Sequence, residues 1–281
     1  MQKTRRTASR PAAGLAEYGP PRKRFGQHFL HDPAIIERIV ECFMIKPEDA
    51  IVEIGPGRGA LTAHLVKRCQ RLDVIELDRD LVDYLGTQHP TNEHMHIHSA
   101  DALRFDFRAL SLQAAQPLRV IGNLPYNIST PLIFHLLAQA DAIKDMLFML
   151  QKEVVDRMAA GPGSKDYGRL SVMVQQACQV ERLFLIRPGA FLPPPKVDSA
   201  IVTLKPGQNP AYRLHEPALF ARIVQQAFGQ RRKTLRNSLR DCVTAETIEA
   251  AGLSPKQRAE ELSVADFCRL ANYQAGLAAS Y

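Results

Sequence analysis

Tryptophan, paired cysteines and long apolar runs are all missing from this 281-residue chain. It has no Trp, only 7% aromatic residues, and five Cys that stand far apart without a CxxC pair. Such spacing supports neither a disulfide framework nor a zinc site, so we expect no metal and a reducing, cytoplasmic location. No apolar run approaches the roughly 18 residues of a membrane helix, and the amino end lacks the apolar stretch of a secretory signal. We therefore expect a globular protein without a membrane segment.

The net charge of +7 is unevenly distributed along the chain. Residues 1–24 hold seven Lys or Arg against Glu17 alone, and residues 205–240 hold eight against Glu216 alone. The remainder of the chain is therefore acidic. Segregated positive charge is typical of proteins that bind polyanions, whereas a uniformly solvated surface mixes both signs.

The first 24 residues combine Arg, Pro, Ala and Gly with little periodicity, which predicts a basic, disordered tail over 1–24. An Arg-rich segment that is poor in acids is also typical of an organelle transit peptide. Pro11, Gly14 and Pro20-Pro21 would interrupt the amphipathic helix of such a peptide, so we favour the disordered tail.

Strand and helix patterns alternate along the next part of the chain. Strand-like segments at 50–54, 72–77, 95–98 and 118–122 are accompanied by helix-like segments at 60–69, 80–88 and 130–138, and further strand patterns follow to residue 204. This alternation predicts βαβ units and a parallel sheet. We expect a doubly wound, Rossmann-like α/β domain over 25–206. Beyond the break at Pro206-Gly207 only helical periodicity is visible, which predicts a small all-helical domain over 207–281.

The tetrapeptide Asn123-Leu124-Pro125-Tyr126 lies between a predicted strand and a predicted helix. An Asn side-chain oxygen and a backbone carbonyl beside the ring-locked Pro can accept the two hydrogens of an exocyclic amine, while the Tyr face stacks on the ring that bears it. Such acceptors favour an amine that becomes tetrahedral and positive as it attacks the methyl group of a sulfonium. A tight turn in which Asn caps a helix remains the alternative from these residues alone.

A second candidate site begins at Gly55-Pro56-Gly57-Arg58-Gly59, where glycines let a ligand approach a helix amino terminus. Glu76 ends the next strand, where a carboxylate can accept both hydroxyls of an adenosine ribose. Asp101 follows the strand after that and can accept an adenine amine. Together these residues indicate an adenosine cofactor, although the loop spacing also fits a dinucleotide such as NAD.

Four sequence motifs carry a resemblance to a known family. The stretches GQHFL at 26–30, NLPYNISTPL at 123–132, FLPPPKVDSA at 191–200 and FGQRRKTLRNSL at 228–239 are similar to those of the bacterial small-subunit (16S) ribosomal RNA adenine dimethyltransferases. The resemblance spans roughly residues 22–270. It implies a class I methyltransferase fold, S-adenosylmethionine as cofactor and an adenine in ribosomal RNA as target.

The resemblance also assigns roles to cofactor-binding residues. His28 and Leu30 match residues that close over the methionine part of the cofactor, although other members often have Asn where this chain has His28. Gly55, Glu76 and Asp101 match the loop, ribose and adenine contacts.

The remaining matches concern the target base. Asn123 matches the residue that meets both cofactor and target amine, and Tyr126 matches the residue that stacks on the base. Phe191 matches a second aromatic that covers the base from its other face, with a role in the core as the alternative.

A basic stretch near the carboxyl end completes the candidate sites. We expect one helix with a positively charged rim beside an apolar stripe of Phe228, Leu235 and Leu239, and the scarcity of aromatics favours recognition of RNA shape and backbone. The basic residues are Arg231, Arg232, Lys233, Arg236 and Arg240.

These observations lead to a hypothesis of an enzyme that dimethylates two adjacent adenosines near the 3′ end of 16S rRNA and acts as a monomer on a small ribosomal subunit or its assembly intermediate. Two alternatives stay open. One is a large-subunit rRNA adenine methyltransferase of the macrolide-resistance type, and the other is a non-catalytic assembly factor with the same fold.

Overall fold

A computed structural model of the protein describes residues 28–89, 93–207, 212–230 and 232–278. The predicted tail over 1–24 and the predicted RNA contact Arg231 lie outside these ranges. Within them, no helix combines the length and the apolar character that crossing a membrane requires.

The strands of the described residues form a seven-stranded sheet and a separate two-stranded pair. They are β1 (Phe29–Leu30), β2 (Ala50–Ile54), β3 (Arg71–Glu76), β4 (Met95–Ser99), β5 (Leu118–Asn123), β6 (Ile143–Gln151), β7 (Cys178–Ile186), β8 (Phe191–Leu192) and β9 (Ser199–Pro206).

The helices of the described residues fall into two groups, one interleaved with the strands and one that follows the last strand. The first group is α1 (Pro33–Cys42), α2 (Thr62–Leu65), α3 (Arg79–Gln88), α4 (Phe107–Ala114), α5 (Ser129–Leu137), α6 (Lys152–Ala159) and α7 (Arg169–Ala177). The second group is α8 (Pro217–Gly229), α9 (Leu235–Ser238), α10 (Ala245–Ala250) and α11 (Val264–Ala278).

The large sheet has the order β4-β3-β2-β5-β6-β9-β7. The first five strands are parallel, and β9 and β7 add antiparallel strands at one side. The chain therefore winds outward from β2 in one direction and from β5 in the other. A crevice forms outside the carboxyl ends of these two central strands, which is where open α/β sheets bind ligands. The predicted doubly wound α/β fold is confirmed.

Alternating side chains of the central strands enter two different core clusters. Val52 and Val120 belong to a cluster on one face of the sheet, whereas Ile51 and Ile121 belong to a cluster that includes residues of α1. Burial on both faces explains why these strands are continuous apolar runs.

A third core cluster unites α8, α9, α10 and α11 with residues from the sheet-bearing part of the chain. Tyr167 is fully buried in this cluster, and its hydroxyl donates to the carbonyl of Leu262 over 2.8 Å. Among the described residues that follow Pro206, the only strand-like pairing is a single bridge between Thr234 and Arg258. The helical segment therefore packs against the sheet unit through a shared apolar core.

Candidate active site

A cavity of about 240 Å³ lies in the crevice at the carboxyl edge of the sheet. The loops that follow β2, β3, β4 and β5 all contribute to it, because parallel strands end at the same edge. Seven residues predicted for cofactor or target binding line this cavity: His28, Leu30, Gly55, Glu76, Asp101, Asn123 and Tyr126.

The glycine loop after β2 lines the cavity. Gly55 and Gly57 have φ values of +66° and +57°, a backbone conformation that side chains rarely adopt. A Cβ on Gly57 would lie 3.1 Å from the ring of Phe29. The absence of side chains therefore lets β1 lie close over the loop and leaves the backbone accessible to a ligand.

Glu76 is held rigidly at the end of β3. Its Oε1 accepts the backbone N–H groups of Leu77 and Asp78 over 2.8 and 2.9 Å, and its Oε2 accepts that of Gly57 over 3.3 Å. Burial raises the pKa of this carboxyl, and the three N–H donors oppose that rise. The oxygens keep further lone pairs toward the cavity, which suits acceptance from ribose hydroxyls.

Asp101 lies at the cavity edge after β4. Its Oδ1 accepts the backbone N–H of Leu103 over 2.9 Å. Within the described part of the chain no donor is bonded to Oδ2, so this oxygen can accept a hydrogen bond from an amine.

Asn123 ends β5 and is anchored by the amino-terminal segment. Its Nδ2 donates to the carbonyl of His28 over 3.0 Å. This bond directs the amide nitrogen to one side and leaves Oδ1 as an acceptor on the other. The ring of His28 in turn donates from Nδ1 to the carbonyl of Pro193 over 2.8 Å, since a carbonyl can only accept.

Tyr126 stands half-buried beside Asn123 in the cavity wall. Its hydroxyl is 2.8 Å from Oγ of Ser199, and its ring centroid lies 5.7 Å from that of His28 at an interplanar angle of 31°. Burial raises the pKa of Tyr126, and the hydrogen bond to Ser199 opposes that rise. Ser199 was not among the residues predicted from sequence, because it reaches the site from 73 positions away.

Comparison with known proteins identifies the family. The family model described as ribosomal RNA adenine dimethylase matches residues 20–276. The chain belongs to this family. Ribosomal RNA small subunit methyltransferase A of Alcanivorax borkumensis is 56% identical over 251 residues, which cover 89% of each chain.

Solved structures agree with this family in fold. A dimethyladenosine transferase from Plasmodium falciparum is 26% identical with a TM-score of 0.75, covering 86% of this chain and 96% of that one. The 23S rRNA methyltransferase ErmE is 24% identical with a TM-score of 0.65, covering 88% and 99%. The ErmE match supports the fold alone.

Phe191 lies in the core in this family member. It is 2% exposed, pairs with Leu30 through the β1–β8 ladder and packs in the core cluster that includes Ile39 and Ile121. It does not line the cavity. Strand pairing turns the side chain into the core, which agrees with the core role given as its alternative, and a contact with the base stays a prediction. Leu30, its partner, does reach the cavity.

Glu53 is a cavity residue that was not predicted from sequence. It is 1% exposed in β2, and its Oε2 accepts a hydrogen bond of 2.6 Å from Oγ1 of Thr62. Burial raises the pKa of Glu53 to about 8. The signal was present as a single acid inside the apolar strand that precedes the glycine loop. A buried carboxyl beside this cavity suits a cationic ligand, whose charge would favour the ionised form.

The basic stretch does not form one continuous helix. Helix α8 ends at Gly229, and the backbone N–H groups of Leu235 and Arg236 donate to Gln257 and Pro255 rather than to carbonyls one turn earlier. These tertiary bonds break the predicted helix. Arg232, Lys233 and Arg236 are nevertheless exposed. Leu235 and Leu239 are buried as expected, and Phe228 packs against the same cluster.

Proposed function

We propose that this chain transfers methyl groups from S-adenosylmethionine to the exocyclic amines of two adjacent adenosines near the 3′ end of 16S rRNA, as a step in small-subunit assembly. The observation that carries the proposal is one cavity in which the anchored Asn123 and Tyr126 meet Glu76 and Asp101. A ribosomal RNA adenine dimethylase needs both sets of residues, because one holds the target and the other the cofactor.

The cavity fits the cofactor. The loop around Gly57 leaves room that a Cβ would fill, Glu76 offers acceptors to the ribose, and Asp101 offers one to the adenine amine. His28 and Leu30 would close over the methionine part. When bound, S-adenosylmethionine supplies an electrophilic methyl group on a positively charged sulfur.

Asn123 and the carbonyl of Leu124 would orient the target amine. The bond from Asn123 to His28 fixes the amide before any substrate arrives, so its oxygen needs no reorganisation as positive charge grows on the amine. Tyr126 would hold the base by stacking, which offsets part of the cost of drawing it out of its own stack. No strong general base is required, since the amine loses its proton readily once it carries the new methyl group.

The exposed Arg232, Lys233 and Arg236, together with Arg231, would bind RNA phosphates outside the cavity. This surface would belong to a helical domain over 207–281, next to a methyltransferase domain over 25–206. The enzyme would act as a monomer in the cytoplasm.

The names of the relatives favour the small-subunit target. The relative that is 56% identical is called small subunit methyltransferase A, and the family model described as ribosomal RNA adenine dimethylase matches residues 20–276. The intact Glu76, Asp101, Asn123 and Tyr126 argue against a non-catalytic assembly factor.

The test is mass spectrometry of RNA after incubation with S-adenosylmethionine and undermethylated ribosomal subunits. We expect dimethyladenosine in 16S rRNA when small subunits are supplied, and none in 23S rRNA when large subunits are supplied under the same conditions. Methylation of 23S rRNA would support the large-subunit alternative, and binding to subunits without methylation would support the assembly factor.

A further inference from the structure

The charges around the cavity are unbalanced. Among the described residues that line it, Glu53, Glu76 and Asp101 carry carboxyl groups, whereas Arg58 is the single side chain with a permanent positive charge. The bound cofactor would carry an ammonium, a sulfonium and one carboxylate at its methionine end. The acids suit the cationic groups, but they would repel that carboxylate unless a positive group met it.

Arg58 lies next to the segment assigned to the methionine part. Its guanidinium carbon lies 4.7 Å from the centroid of the Phe29 ring. Phe29 stands between His28 and Leu30 in sequence, and both of these neighbours line the cavity. The Phe29 ring also lies over Gly57, where an added Cβ would be 3.1 Å from it, so one ring packs on both the guanidinium and the glycine loop. The position of Arg58 is therefore set by packing before a ligand binds.

The Nε atom of Arg58 lacks an acceptor. It is buried, and within the described ranges it has no hydrogen-bond partner. Buried donors in folded proteins are almost always paired, so this guanidinium is not fully satisfied where it lies. The side chain as a whole is only half-buried and lines the cavity, and a planar guanidinium can present two parallel donors to a carboxylate there.

We infer that Arg58 binds the carboxylate of the cofactor's methionine end and so selects ligands that carry an intact α-amino acid. The inference rests on the proposed function, because it assumes that S-adenosylmethionine occupies this cavity. It adds a residue to which the motif resemblance assigns no role.

The experiment compares two ligands by titration calorimetry, S-adenosylmethionine and its decarboxylated analogue. The variant Arg58→Leu removes the charge and keeps an apolar contact with Phe29. We expect its affinity for S-adenosylmethionine to fall about ten- to a hundredfold, the scale of a hydrogen bond to a charged group. Its affinity for the decarboxylated analogue should stay close to that of the unsubstituted protein, since that ligand has no carboxylate for Arg58 to bind.

Matched variants separate this role from others. Glu76→Ala should reduce the affinity for both ligands alike, because both contain the ribose. Arg157→Leu, at an exposed position outside the cavity, should leave both affinities unchanged. If Arg58→Leu does not fold, Arg58→Lys keeps the charge without Nε and should reduce affinity for S-adenosylmethionine alone.

Two results would overturn the inference. The first is an equal reduction in affinity for both ligands, which would show that Arg58 only supports the loop. The second is unchanged affinity for S-adenosylmethionine, and weaker RNA binding in that case would assign Arg58 to a phosphate. If the unsubstituted protein binds neither ligand, the proposed function itself fails.

Discussion

Individual side chains at this site are positioned by parts of the chain that are far away in sequence. Asn123 is anchored by His28, and Tyr126 is bonded to Ser199. Glu76 receives backbone N–H groups from both its own loop and the glycine loop. Groups held in this way need little rearrangement when charge develops, which is how preorganised sites lower a barrier.

The roles of Asn123 and Tyr126 should separate kinetically. Asn123→Ala removes an acceptor that strengthens as the amine becomes positive, so turnover should fall roughly a hundredfold or more. Tyr126→Ala should remove the stack and the alignment that depends on it, but reduce turnover less than Asn123→Ala. The measurement is single-turnover methylation at saturating cofactor and RNA, with folding checked by thermal melts.

The hydrogen bond between Tyr126 and Ser199 provides the control. Tyr126→Phe and Ser199→Ala remove the same bond from its two ends, so both should retain much of the activity and resemble each other. A folded Asn123→Ala with a nearly normal rate would show that Asn123 is only part of a turn.

Glu53 should make stability depend on pH. Its folded-state pKa of about 8 lies above the ordinary value of 4.5, so the folded protein binds a proton more tightly than the unfolded chain does. The free energy of unfolding should therefore fall as pH rises from 4.5 to about 8 and level off at higher pH, a decrease on the order of a few kcal/mol. Glu53→Gln should be free of that decrease in chemical denaturation at pH 5 to 9, whereas parallel pH profiles would contradict the assignment.

At the scale of elements, the two central strands approach each other closely where the chain turns toward the site. A Cβ built on Gly122 of β5 would lie 2.5 Å from the carbonyl oxygen of Ile54 at the end of β2. Glycine at this position therefore allows β2 and β5 to pair next to the loops that hold Gly55 and Asn123. The position of the crevice depends on this contact.

Gly122→Ala should destabilise the protein by about 1 to 3 kcal/mol, because the added methyl group forces the backbones of β2 and β5 apart. Gly86→Ala is the matched control. Gly86 lies in helix α3 with nothing within 4 Å of the added Cβ, so alanine there should stabilise by roughly 0.5 to 1 kcal/mol. Urea unfolding measures both, and equal effects of the two substitutions would argue against the close contact.

For the whole molecule, positive charge and the cavity lie on different parts of the chain. The cavity is formed by the sheet edge, whereas Arg232, Lys233 and Arg236 are exposed in the segment between α8 and α9 and at the start of α9. The two parts are joined by the shared apolar core around Tyr167. RNA binding and cofactor binding should therefore respond to different substitutions.

Neutralising Arg231, Arg232, Lys233 and Arg236 together should weaken RNA binding and flatten its dependence on salt. Each phosphate interaction that the substitutions remove should reduce the slope of the log–log plot by roughly 0.7 to 0.9. Affinity for S-adenosylmethionine should stay unchanged. The measurement is RNA binding over a range of salt concentrations, and a slope equal to that of the unsubstituted protein would locate the RNA surface elsewhere.

The sequence alone determined the α/β architecture and the grouping of Glu76, Asp101 and Asn123, because strand periodicity is local and parallel strands end at one edge. It also located the apolar stripe of Leu235 and Leu239. It did not reveal helix α4, which follows the capping residue Asp106.

Only the tertiary structure decided the burial of Phe191, the contact between Arg58 and Phe29, and the break in the basic stretch. Each depends on backbone pairing or packing between segments far apart in the chain, such as β1 with β8 or residues 234–236 with 255–258. Periodicity and turn chemistry report a residue's near neighbours. A backbone N–H that finds its acceptor on a distant segment overrides the local preference for a helix, because a buried backbone group must be paired wherever its partner lies.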